Sequence, residues 1–261
     1  MMGIKIRKEG SLLLILICLS VSCAKIQVIS PSSRFINPEA QGKAWQGGFK
    51  LIQQAGTEGT LDFEGERLDN SMELRNTSTP LAFSLDVGIN HNLDFIYKAH
   101  ASAPTVYTVK WQLMGANRVD AQVGNKSLAV TLGHGNSGQF QTQDDTSGFN
   151  ELDEGIEAEI TQSLLEASII YGQRISNETV VYTSALVSKQ DMSFKLESKD
   201  ITELNDKTFT INTWNYGLAL GAISYIEQMT IAVEASIQKT DYTRNRPTTY
   251  GFATMAVGYN W

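Results

Sequence analysis

Histidine is the first side chain to test for chemistry, because a histidine beside a hydroxyl can act as the general base of a hydrolase. The run His134-Gly-Asn-Ser137 carries both groups. Side chains three positions apart on a strand point to opposite faces, so a strand in this region separates His134 from Ser137. His100 has Ser84 among its diagonal neighbours on the adjacent predicted strand, but we interpret it as a histidine of a polar interior.

Charged residues indicate binding or structure rather than catalysis. The acidic run that starts at Asp144-Asp145 could bind calcium, but the spacing of a calcium loop is absent, which favours a solvated loop. A second set alternates with apolar residues and is expected to share one polar interior, where charges of both signs must pair. The sequence contains neither a phosphate-binding glycine loop nor the spacing of a calcium loop, so we predict no cofactor and no metal site. The predicted lumen polar network comprises Lys50, Asp86, Asp94, Lys98, His100, Lys110, Glu166 and Glu234.

The elements that would position these side chains are strands whose residues alternate between two faces. In residues 80–115, Leu, Phe, Val or Ile at every second position alternates with small, polar or charged residues. The turn Asn90-His91-Asn92 suits a three-residue hairpin that pairs Ile89 with Leu93, because asparagine tolerates left-handed backbone. Strands of about ten residues exceed the roughly five to six that are usual in soluble proteins.

The last stretch, residues 249–261, shows the same alternation and ends on an aromatic residue. Trp261, Tyr259, Val257 and Met255 share an apolar face, and Phe252 interrupts the small or polar face. This stretch resembles the terminal strand of bacterial outer-membrane β-barrel proteins, which commonly close with an aromatic residue. The resemblance implies lipid on the apolar face and a place in the interfacial aromatic girdle for the two terminal aromatic side chains.

The predicted fold class is all-β, a closed antiparallel transmembrane β-barrel of about ten strands in an up-and-down meander over residues 43–261. An even strand number places both ends of the barrel on the periplasmic side. We expect long outer loops at 55–79, 136–156 and 191–207, although Leu61 and Phe63 could prolong the first hairpin beyond the bilayer. A barrel of this size is narrow, and we expect side chains to fill its lumen.

The first 24 residues have the features of a secretory signal, because three basic residues precede an apolar core at 12–21. Two processing sites remain open. Cleavage after Ala24 fits a small-x-small pattern. Alternatively, the four residues that end at Cys23 resemble a lipobox and imply lipid attachment at Cys23, although Ser20 stands where that motif usually has leucine.

Residues 25–42, which contain Pro31 and Pro38, predict a periplasmic linker without a core of its own. Both cysteines, Cys18 and Cys23, lie in the signal segment, so the mature chain has no disulfide and no thiol nucleophile. Loss of the basic signal segment changes the net charge from -7 to -9. This acidic balance argues against a nucleic-acid partner.

The predicted function is a non-enzymatic outer-membrane barrel with a structural, surface-interaction or weak porin-like role. Its expected partners are outer-membrane lipids and lipopolysaccharide, the barrel-assembly machinery through the C-terminal strand, and small solutes if the lumen conducts. One alternative is a barrel hydrolase acting on lipid or protein, since His134 and Ser137 loosely resemble the histidine and serine of outer-membrane lipid deacylases. The other is a periplasmic lipoprotein with a soluble β-sandwich or lipocalin-like fold.

Overall fold

The chain is described over residues 28–31, 35–64, 67–100, 103–142, 156–198, 207–242 and 247–261 by a computed structural model. Within these ranges no helix is long and apolar enough to cross a membrane. Eleven β-strands make up most of the described chain: β1 (Val28–Pro31), β2 (Gly47–Glu64), β3 (Arg67–Gly88), β4 (Leu93–Ala99), β5 (Thr105–Met114), β6 (Lys126–Thr142), β7 (Ile156–Arg174), β8 (Thr179–Ser198), β9 (Lys207–Ile226), β10 (Met229–Tyr242) and β11 (Thr248–Asn260).

Ten of these strands close into a barrel. From β2 to β11, each strand pairs antiparallel with the next strand in sequence. The last strand, β11, then pairs with β2 from Met255↔Gln53 to Asn260↔Gly48. This closure confirms the predicted up-and-down barrel, because every strand from β2 to β11 has a neighbour on both sides.

Side chains alternate between the interior and the exterior of the barrel wall, as the sequence predicts. On β11, Met255, Val257 and Tyr259 are exposed, whereas Phe252 and Ala256 are buried. The strand β5 alternates in the same way. No second sheet or helix layer packs on the exterior face of the described strands, so their apolar outward rows remain available to lipid.

The two ends of the barrel differ in their connections. Short turns at 89–92, 175–178 and 227–228 lie at one end, which we call the turn end, and the opposite end is the hairpin end. Ile89 N donates to Leu93 O at 2.8 Å, and Ile175 N donates to Thr179 O at 2.9 Å. Both turns fall where the sequence predicts them.

The hairpin end carries more strand than the sequence predicts. Instead of a long loop over 55–79, β2 and β3 continue as one hairpin whose pairing extends from Gln54↔Thr79 to Glu64↔Arg67. The polar composition of this stretch suggested a loop, but main-chain hydrogen bonds between antiparallel strands do not require an apolar face. Residues 143–155 and 199–206 of the other two predicted loops lie outside the described residues.

Candidate functional site

The interior of the barrel contains part of the chain's own N-terminal region. Residues 35–42 are all buried, and Phe35, Glu39 and Ala40 are almost completely so. The prediction of a linker without a core is therefore wrong for residues 35–42, which we call the lumen segment. Local composition cannot distinguish a linker from a lumen segment, because the partners that bury it come from distant strands.

Apolar contacts hold the first part of the lumen segment. Phe35 and Ile36 belong to one buried cluster that is built from inward-facing residues of the wall. Ile96 and Ile170 were expected to face inward from the alternation, and both are 1% exposed. The cluster is completed by Ile52, Ala82, Tyr182, Ile223, Ala232 and Ala256, with Tyr225 packed against it.

Lysines and one glutamate of the wall bind the main chain of the lumen segment. Lys50 Nζ donates to Phe35 O at 2.9 Å, and Phe35 N donates to Glu234 Oε2 at 3.2 Å. Lys110 Nζ donates to the main-chain oxygens of Asn37 at 2.9 Å and Glu39 at 2.8 Å. Buried ammonium groups need acceptors, and the carbonyl oxygens of this segment supply them.

Nearer the turn end, the lumen segment bonds to three further wall or loop residues. Ala40 N donates to Gln112 Oε1 at 2.6 Å, and Gln41 N donates to Asp94 Oδ1 at 3.1 Å. The connection between β5 and β6 folds over this end, where Arg118 N donates to Ala40 O at 2.8 Å. The lumen segment is thus bonded from mid-barrel to the turn end.

An arginine that the sequence reasoning missed anchors the one acidic side chain of the lumen segment. Arg174, the last residue of β7, forms a buried ion pair with Glu39 through two guanidinium nitrogens. Asn125 Nδ2 donates to the same carboxylate at 3.0 Å. The alternation that places Glu166 inward on β7 also places Arg174 inward, so its phase could have revealed it.

Six of the predicted lumen charges form three ion pairs inside the barrel. Lys50 Nζ lies 2.5 Å from Asp86 Oδ2, and Lys110 Nζ lies 2.7 Å from Asp94 Oδ2. Lys98 Nζ lies 3.7 Å from Glu166 Oε1. Glu234 Oε2 accepts a hydrogen bond of 2.6 Å from the Tyr182 hydroxyl. His100 is half-buried one residue beyond the end of β4. Cys23, the candidate lipid-attachment residue, lies outside the described residues.

The residues of the hydrolase alternative do not form a nucleophile and base pair in the described chain. His134 is exposed on the outward face of β6, and Ser137 has the inward phase. Asn136 Nδ2 is the group within hydrogen-bond distance of His134 Nε2, at 3.2 Å. His91 is exposed in its turn. Among the residues that the structure describes, no three histidine, cysteine or acidic side chains are arranged to hold a metal ion.

The polarity of the wall defines the class of protein. Leu132, Leu218, Leu220 and Ile237 point outward and are 61% to 66% exposed, whereas paired charges lie inside. A lipocalin-like barrel buries apolar residues inside and a β-sandwich packs two sheets together, so the soluble alternative is wrong. A closed antiparallel barrel with an apolar exterior is the architecture of an outer-membrane β-barrel.

The chain has only low similarity to known proteins. No protein-family model and no curated protein matches the sequence. The solved structure of Ail, the attachment invasion locus protein of Yersinia pestis, is 9% identical over 84% of this chain and 99% of its own, with a TM-score of 0.36. The outer membrane protease OmpT from Escherichia coli is 7% identical over 84% of this chain and 94% of its own, also with a TM-score of 0.36. Likeness at this level carries no functional argument, and the fold rests on the strand pairings themselves.

Proposed function

We propose that the protein is a non-enzymatic barrel of the outer membrane whose pore is closed by its own lumen segment, and that it acts through the surface at its hairpin end. The observation that carries this proposal is the burial of residues 35–42 among wall charges that bond to their main chain. We therefore expect this segment to obstruct the path of ions through the turn-end half of the lumen.

The proposed partners follow from the two surfaces of the wall. The exposed aliphatic rows require acyl chains, so outer-membrane lipids are the first partner. Exposed Trp261, Trp45 and Tyr259 cluster at the turn end, where aromatic side chains suit the membrane interface. Lipopolysaccharide at the hairpin end and the assembly machinery at β11 complete the proposal, and the acidic chain disfavours nucleic acid.

Conductance in planar bilayers tests the closed lumen. Purified protein that migrates differently before and after heating is folded as a barrel, and we expect it to show no steady ion conductance. A variant that lacks residues 28–42 but still shows heat-modifiable migration should gain conductance, because the deletion removes the lumen segment. A deletion variant that stays closed would show that other side chains, and not the lumen segment, close the pore. Steady conductance by the unmodified folded protein would overturn the proposed closure.

The hydrolase alternative can be tested with two substitutions. Because His134 is exposed on the wall and its phase is opposite to that of Ser137, we expect His134→Ala to leave lipid A and protease phenotypes unchanged. We expect the same of His100→Ala. A changed lipid A or protease phenotype in a variant with normal heat-modifiable migration would favour the hydrolase alternative.

A further inference from the structure

The short strand β1 lies at the hairpin end of the barrel wall. Val28–Pro31 pairs antiparallel with residues 56–59 of β2, from Val28↔Gly59 to Pro31↔Gly56. This part of β2 lies beyond Gln53, where the ladder between β2 and β11 ends. Beyond that point, β1 therefore occupies the edge of β2 that β11 occupies nearer the turn end.

The chain then runs through the lumen toward the turn end. Phe35 contacts Lys50 and Glu234 in mid-barrel, and Gln41 contacts Asp94 close to the 89–92 turn. Trp45 N donates to Gly88 O at 2.9 Å at the turn end, immediately before β2 begins. The direction from β1 to β2 is thus from the hairpin end to the turn end.

We infer that the processed N-terminus lies at the hairpin end, on the outer face of the membrane, and that the chain returns through the lumen to begin the barrel at the turn end. Both processing sites lie within five residues of Val28. An extended chain covers at most about 3.6 Å per residue, so five residues span about 18 Å. This is shorter than the apolar band of about 25 Å that a barrel presents to lipid.

The inferred path differs from the expectation of a periplasmic linker over residues 25–42. The barrel strands do begin and end at the turn end, at Gly47 and Asn260, but the residues before β2 lead to the opposite end. A free amino group at Lys25, or acyl chains at Cys23, would then share the outer surface with the long hairpins. This orientation rests on the proposed outer-membrane location.

Single cysteine substitutions can locate the three relevant positions. Val28→Cys reports on β1, Pro247→Cys reports on the hairpin end next to β11, and His91→Cys reports on a turn at the turn end. Each is treated in intact cells with a maleimide that does not cross the outer membrane, and again after permeabilisation. Unsubstituted protein is the control, since Cys23 is either cleaved off or blocked by lipid at its sulfur.

We expect Val28→Cys and Pro247→Cys to be labelled to the same extent in intact cells, and His91→Cys to be labelled only after permeabilisation. If Val28→Cys is instead labelled only after permeabilisation, as expected for His91→Cys, the inferred position of the N-terminus is wrong but the barrel is unaffected. Equal labelling of all three in intact cells contradicts the outer-membrane location itself, so the two failures are distinguishable.

Discussion

The two halves of the lumen stabilise their buried polar groups in different ways. In the turn-end half, Lys50, Lys110 and Arg174 are buried, and each forms an ion pair with a carboxylate. The lumen segment supplies one of those carboxylates and several main-chain acceptors. The charges of the wall and the segment therefore require each other, since an unpaired buried charge is costly.

Among the described residues, the hairpin-end half relies on neutral side chains apart from the buried pair Lys98–Glu166. Gln190 Nε2 donates to Gln162 Oε1 at 2.9 Å, and Gln238 Nε2 donates to Asn215 Oδ1 at 3.0 Å. Other atoms of these amides, such as Gln162 Nε2 and Gln190 Oε1, have no hydrogen-bond partner within the described chain. We call this group the amide belt, and its members are Gln162, Gln190, Asn215 and Gln238 with Thr213 and Thr240, all at most 1% exposed.

This difference indicates which half of the lumen fixes the position of the lumen segment. A neutral amide with an unpaired atom costs about 1–3 kcal/mol, whereas breaking a buried ion pair costs about 3–5 kcal/mol. The turn-end half should therefore fix the position of the lumen segment, and the amide belt should tolerate substitution. Three variants test this contrast.

Arg174→Ala should have the largest effect, because it leaves the buried Glu39 carboxylate without its cation. We expect a loss of about 3–5 kcal/mol in the free energy of unfolding, measured by urea titration in lipid vesicles. The matched control is Lys189→Ala, whose pair with Asp191 is 2.9 Å long but has side chains 38% and 41% exposed. That pair should contribute no more than about 1 kcal/mol, and equal losses would contradict the contrast.

Gly221→Ala should have an intermediate effect, because a Cβ there would overlap the Tyr182 ring and lie 2.5 Å from its hydroxyl. That hydroxyl bonds to Glu234, which accepts from the lumen segment. We expect a cost of about 1–3 kcal/mol in the same urea titration. Gly251→Ala on β11 is the control, since its nearest neighbour would be 4.0 Å away. If both variants lose the same stability, close packing around Tyr182 is not the cause.

The double variant Gln162→Leu with Gln190→Leu should have the smallest effect. It removes both partners of one hydrogen bond together with their unpaired amide atoms, so we expect a change within about 1 kcal/mol. Gln162→Leu alone leaves the Gln190 amide unpaired and should cost about 1–3 kcal/mol. A double variant that is less stable than the single variant would contradict the expectation that the amide belt tolerates substitution.

Much of the wall was predictable because alternation is a local property. The outward face of β11 and the turns at 89–92 and 175–178 lie where the sequence predicts them. Glu166 and Glu234 were likewise predicted to face inward from strand phase alone. The continuation of β2 and β3 beyond Gln54 and Thr79 was predicted only at Leu61 and Phe63, because polar residues on both faces of a hairpin resemble a loop in composition.

The sequence by itself determined that alternate side chains face lipid and that the opposite set forms a charged interior, because both follow from the two-residue period of a strand. Only the tertiary structure decided what fills that interior. Phe35 meets Glu234 across 199 positions of sequence, and Glu39 meets Arg174 across 135. Contacts between residues so far apart in the sequence leave no local pattern. The sequence of residues 35–42 therefore indicates a linker, and only the closed barrel shows that this segment is buried.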